Sequence, residues 1–129
     1  MSTQCYTVKY KLYRERNIQD MKGSVFDCTI VELDRHHSQR KGDICVVENC
    51  DTLPFDVKRV YYLYDIPGGV SRGGHAHKAL QQFIVAVSGS FTVTLDDGKV
   101  KRSFTLNRPY QGLLLEPCIV TGKNHARIV

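Results

Sequence analysis

The stretch Gln82-Phe83-Ile84-Val85-Ala86-Val87-Ser88-Gly89-Ser90-Phe91-Thr92-Val93-Thr94-Leu95-Asp96-Asp97-Gly98 decides the fold. Its β-branched and aromatic residues favour extended backbone, and two turn signals divide it. Ser88-Gly89-Ser90 reads as a tight turn. Asp97-Gly98 reads as a hairpin of type I′, which needs φ > 0 where glycine costs least. Strands are therefore predicted over residues 82–88 and 91–96, with a third returning over 100–106. Working outward, residues 25–33, 43–48, 57–65, 75–77 and 111–115 carry the same composition, and glycine, proline or aspartate interrupts each run. Many short strands without a long helical period predict an all-β sandwich or small barrel.

Residues 1–20, MSTQCYTVKYKLYRERNIQD, are polar and basic, and read as a poorly ordered N-terminal extension. The ordered chain is expected to begin near residues 21–24, leaving 21–129 as a single domain. The whole chain has 129 residues, 42% of them hydrophobic and 24% charged, which is enough for one buried core. Its 18 Lys and Arg against 13 Asp and Glu give +5, which suits an anionic ligand. The basic residues form no sustained block, so a small phosphorylated ligand fits better than nucleic acid. Five cysteines, an odd number with no C-x-x-C spacing and no preceding signal peptide, suggest a reducing cytoplasmic compartment. No apolar run approaches the ~20 residues that span a bilayer, so no membrane partner is expected.

The chemistry concentrates at Ser71-Arg72-Gly73-Gly74-His75-Ala76-His77-Lys78. Two histidines at i and i+2 of a strand share a face. Imidazole titrates nearest neutrality, so the pair suits either metal binding or proton transfer. Gly69 lies six positions before His75, Gln82 five after His77, and Gly89 seven after Gln82. That spacing resembles the first motif of the cupins, Gly-x5-His-x-His-x4-Glu-x6-Gly. Metal cupins complete their site with the glutamate and a third histidine. Gln82 is a neutral amide at the glutamate position, and no histidine falls near Pro117, which argues against a metal.

A longer string is more specific: residues 57–65, Pro67-Gly68-Gly69, Arg72-Gly73-Gly74-His75-Ala76-His77-Lys78, Leu80-Gln81-Gln82 and Leu95-Asp96-Asp97-Gly98-Lys99. With Asn107-Arg108 and Tyr110-Gln111-Gly112-Leu113, it closely resembles the dTDP-4-oxo-6-deoxyglucose 3,4-oxoisomerases, the WxcM-like sugar ketoisomerase cupins. The resemblance runs from about residue 25 to residue 119. It implies a cupin fold, no cofactor, a homodimer, and a dTDP-linked 6-deoxy-4-keto sugar whose carbonyl moves between C4 and C3 for polysaccharide (O-antigen) biosynthesis. By the same resemblance His75 and His77 are the acid and base of an enediol mechanism. Arg72 could neutralise an enediolate or hold a phosphate. Arg59 and Tyr61, two apart on one strand, face the same way, with Val60, Tyr62 and Tyr64 opposite; Gln82 should face inward and hydrogen-bond a sugar hydroxyl. A metal-dependent cupin enzyme and a non-catalytic sugar-nucleotide-binding cupin are the competing readings.

Two segments depart from the pattern. Gln39-Arg40-Lys41-Gly42 replaces an Asp-x-Arg-Gly turn, and the adjacent His36 and His37 read as solvated loop residues. After Ile119 the chain diverges, so an incomplete set of C-terminal strands and an exposed sheet edge are expected.

Overall fold

The computed structural model describes residues 6–13, 24–75, 80–116 and 125–128. Strand β7 (Leu80–Ser88) organises it, because Gln81 to Ala86 are buried without a break and both strand faces must therefore be covered. It occupies the middle of a five-stranded antiparallel sheet, in the order β2 (Thr29–Glu32), β10 (Gln111–Leu115), β7, β1 (Tyr6–Tyr13), β5 (Arg59–Leu63). A second sheet runs β6 (Arg72–His75), β11 (His125–Ile128), β8 (Phe91–Asp96), β9 (Lys101–Leu106), and a small ribbon pairs β3 (Arg35–His36) with β4 (Ile44–Cys45). The architecture is the all-β cupin type expected. The two sheets do not close into a continuous barrel among the described residues.

Alternation along β7 divides its side chains between two cores. Ile84 and Ala86 join Leu113 and Leu115 of β10, Phe91, Val93 and Leu95 of β8, and Leu106 of β9 in the core between the sheets. Phe83 and Val85 face the other way, under Leu53, Phe55 and the half-buried Cys45, Val47 and Val57 of the long 45–57 connection. At Gly112, paired with Val85, a Cβ would collide with the Phe83 ring, which is fully buried. Glycine is thus the residue that lets Phe83 lie across β10.

Three local expectations are corrected. The 97–98 turn is not type I′: Gly98 has φ 85° as required, but Asp97 is absent from the positive-φ residues. Its carboxylate instead accepts from the amides of Lys99 (2.9 Å) and Val100 (2.8 Å), an Asx-type arrangement that sets the turn by itself. The other oxygen reaches the Val25 amide (3.4 Å) and the Ser24 hydroxyl (3.5 Å), although Asp97 is only 5% exposed. Residues 25–33 are not one strand, because Ser24 and Asp27 form a capping box around a 3-10 turn, Val25–Asp27, and delay β2 to Thr29. Arg102 donates to the Cys28 carbonyl at 3.2 Å and stacks 4.5 Å from the Phe104 ring, tying that turn to β9.

The third correction concerns residues 1–20. Tyr6–Tyr13 is not an appendage: β1 pairs with β5 on one side and β7 on the other. The signal was legible, since Tyr6, Val8, Tyr10 and Leu12 alternate with Thr7, Lys9 and Lys11. At the other end, His125–Ile128 inserts between β6 and β8, so the divergent tail supplies a strand and, among the described residues, the open edges of that sheet are β6 and β9.

Three outcomes follow for stability. A variant lacking residues 1–13 strips β5 of its partner and uncovers one side of β7, and its melting temperature should fall by more than about 10 °C in a calorimetric scan. Gly112→Ala forces Phe83 off its position and should cost about 1–3 kcal/mol in urea unfolding. The Asp97 carboxyl is held below its ordinary pKa chiefly by the Val100 and Lys99 amides. A depressed folded pKa stabilises above the unfolded value, about 3.9, and that contribution is lost as pH falls through the folded value. The stability advantage of the native chain over Asp97→Asn should therefore shrink below about pH 4, read from denaturant midpoints.

Candidate functional site

Register places three of the candidate residues on one face. Arg59 pairs with Lys11 of β1, Lys11 with Gln82 of β7, and Gln82 with Leu115 of β10. One row further, Tyr61 pairs with Lys9 and Lys9 with Ile84. Directly opposed residues of an antiparallel pair share a sheet face, and Ile84 and Leu115 belong to the core between the sheets. Arg59, Tyr61 and Gln82 therefore look into the sandwich, at the end where β5 begins. Val60, Tyr62 and Tyr64 face out and are exposed, with the two tyrosine rings 6.0 Å apart.

Each inner-face side chain has a distinct character. Gln82 is 6% exposed, a neutral amide paired with the core residue Leu115 on one side and with Lys11 on the other. Its neighbour Gln81 points to the outer core and donates to Glu116 at 2.7 Å, so adjacent glutamines serve opposite faces. Tyr61 is half-buried, and burial raises its phenol above the ordinary value while the Arg59 guanidinium, 5.7 Å from the ring centre, opposes the rise. At neutral pH that phenol remains a hydrogen-bond donor. Arg59 is exposed at the rim.

The facing sheet carries Arg72 and His75 at the two ends of β6. Their separation of three would put them on opposite faces of a regular strand. The β6–β11 register shifts between Ala126 and Arg127, so His75 pairs with Ala126 while Gly73 pairs with Arg127, and Gly74 is the inserted residue. The bulge brings Arg72 onto the row of Ile128 and Val93, and His75 onto the row of Ala126 and Leu95. Val93 and Leu95 both face the inner core. Two glycines at 73 and 74 make this irregularity inexpensive. His77 lies outside the described residues. His36 and His37 are exposed as expected, but His36 belongs to β3 and not to a loop, and His37 Nδ1 lies 2.5 Å from Asp43 Oδ1. Among the described residues no three His, Cys, Asp or Glu side chains come together as a metal-binding group.

Sequence reading missed the basic positions of β1. Lys9 and Lys11 occupy the rows of Tyr61 and of Arg59 with Gln82, and the 6–13 alternation was the signal that could have found them.

The family model FdtA: WxcM-like, C-terminal matches residues 26–125. This chain belongs to that family. Among its FdtA/WxcM-like relatives is the TDP-4-oxo-6-deoxy-α-D-glucose-3,4-oxoisomerase of Aneurinibacillus thermoaerophilus, 42% identical over 79 residues that span 61% of this chain and 57% of that protein. The structure of a TDP-quinovose 3,4-ketoisomerase from Campylobacter jejuni superposes with a TM-score of 0.70 at 36% identity, covering 81% of this chain and 75% of that one. A double-mutant 3,4-ketoisomerase from Thermoanaerobacterium thermosaccharolyticum, solved in complex with TDP, superposes with a TM-score of 0.69 at 25% identity, covering 82% and 80%.

Proposed function

We propose that the chain is a 3,4-ketoisomerase that moves the keto group of dTDP-4-oxo-6-deoxy-D-glucose from C4 to C3 through an enediol, with His75 and His77 as acid and base. The observation that carries the reading is the inward row of Arg59 and Gln82 with Tyr61 beside it, in a family whose relatives are TDP-sugar ketoisomerases. In the proposed reaction one imidazole takes the C3 proton, and the C3–H electron pair becomes the C3=C4 bond as charge moves to the C4 oxygen. The C3 hydroxyl passes its proton to the C4 oxygen and becomes the carbonyl while the second imidazole returns a proton to C4, leaving a 3-keto, 4-hydroxy sugar with every proton accounted for. No external oxidant or reductant is required. A proton α to a ketone is acidic enough for a base that titrates near neutrality.

The remaining residues bind and orient. Arg72, carried by the bulge toward the rows of the inner core, supplies a fork of donors for the enediolate or a phosphate. Arg59 at the rim meets the diphosphate, Tyr61 donates from its protonated phenol, and Gln82 hydrogen-bonds a sugar hydroxyl. We further propose that the enzyme works without a metal, in accord with the amide at position 82, and acts as a cytoplasmic homodimer supplying 3-keto sugar for polysaccharide assembly.

Proton NMR of dTDP-4-oxo-6-deoxyglucose with the protein in deuterated buffer should show deuterium replacing the C3 proton of the substrate and, on net isomerisation, entering at C4 of the product. The exchange should survive dialysis against EDTA. His75→Asn and His77→Asn should each slow it by ~10²–10⁴ while the nucleotide still binds. Absence of exchange with folded protein overturns the activity, and exchange that disappears with EDTA and returns with a divalent metal overturns the metal-free mechanism.

A further inference from the structure

A cavity lies on the face of the central strand opposite the candidate site. Its floor is Val85 with Leu33 and Val47, residues of the outer core, and its volume is about 500 Å³, within the range that encloses small ligands. Position 85 faces away from the inward row of Ile84 and Gln82, so the sheet itself separates this cavity from the candidate isomerase site. Val87, half exposed, continues the apolar floor toward the mouth.

The polar groups of the cavity are few and largely fixed. The Arg35 guanidinium lies 4.7 Å from the centre of the Tyr110 ring and 3.7 Å from Asp43 Oδ2. Asp43 is itself held by His37, the principal cause that keeps its carboxyl below the usual range. Tyr110 is anchored through its carbonyl, which accepts from the Leu33 amide at 2.8 Å, and the Arg108 carbonyl accepts from Gln111 at 3.3 Å across the same turn. The lining therefore includes two arginines, Arg35 and Arg108, against one carboxylate, Asp43. An arginine stacked on an aromatic ring keeps in-plane donors for an anion, and the valine floor accepts a flat apolar body.

We propose that this outer cavity is a second ligand site, for a small anion, phosphate or carboxylate, borne on a flat apolar ring, with the anion on Arg108 and the ring over the valines. It is independent of the isomerase reading, because it shares none of that site's residues. Two-dimensional NMR of the full-length chain, titrated with phenyl phosphate and separately with benzoate to about 10 mM, tests it. Phenyl phosphate, benzoate or both should shift resonances of Val85, Val87 and Tyr110, and neutral benzyl alcohol should not. Whichever anion binds names the charged group. Arg108→Gln should weaken binding about tenfold, the loss of one charge-assisted contact. Val87→Glu, a change at a half-exposed position that sets a like charge at the mouth, provides a second variant and should weaken it at least as much. Both variants should keep C3 exchange of the sugar nucleotide. No shift with either anion, shifts confined to Arg59, Tyr61 and Gln82, or binding unchanged in both variants would overturn the proposal.

Discussion

One strand with two dry faces constrains everything else in this molecule. β7 is covered on both sides, so its neighbours must supply a second sheet on one side and the 45–57 connection on the other. Its alternating side chains assign each residue to one compartment. The same parity that sends Phe83 and Val85 outward sends Gln82, Ile84 and Ala86 inward, and pairing transmits that choice across the sheet to Arg59 and Tyr61. The polar site on the inner face is thus a consequence of hydrophobic register, since a one-residue slip of β7 would exchange the two compartments wholesale.

Much of this was legible in the chain. The strands at 91–96 and 111–115 emerge as predicted because their alternation or apolar run is bounded by strong turn residues. The shared face of Arg59 and Tyr61 follows from spacing alone. Other features were hidden for identifiable reasons. β1 is masked because its lysines raise the local polarity, and an average over 20 residues hides an eight-residue alternation. The capping box at Ser24 interrupts a run that composition marks as extended, because a side-chain hydrogen bond outweighs β-propensity over three residues. Asp97 reads as a turn former, and its reach to Val25, 72 residues away, has no local signature.

The relation between Arg72 and His75 illustrates how an irregularity can realign two positions of a strand. Period-two reasoning separates them, and the Gly73-Gly74 bulge reunites them on rows that end at inward-facing residues. A regular strand would leave only one of the two positions on such a row. The glycine pair therefore sets the register of positions 72 and 75 without any chemistry of its own.

Asp97 links segments that the sequence keeps far apart. One carboxylate holds the amides of Lys99 and Val100 and also that of Val25, so the hairpin tip and the 3-10 turn cannot loosen independently. Opening either end leaves a nearly buried anion short of donors, which makes the two regions a single cooperative unit in local unfolding. The edge of β9 and the approach to β2 should then fluctuate together, and a sheet edge that would otherwise fray is moored to the segment that leads into the other sheet.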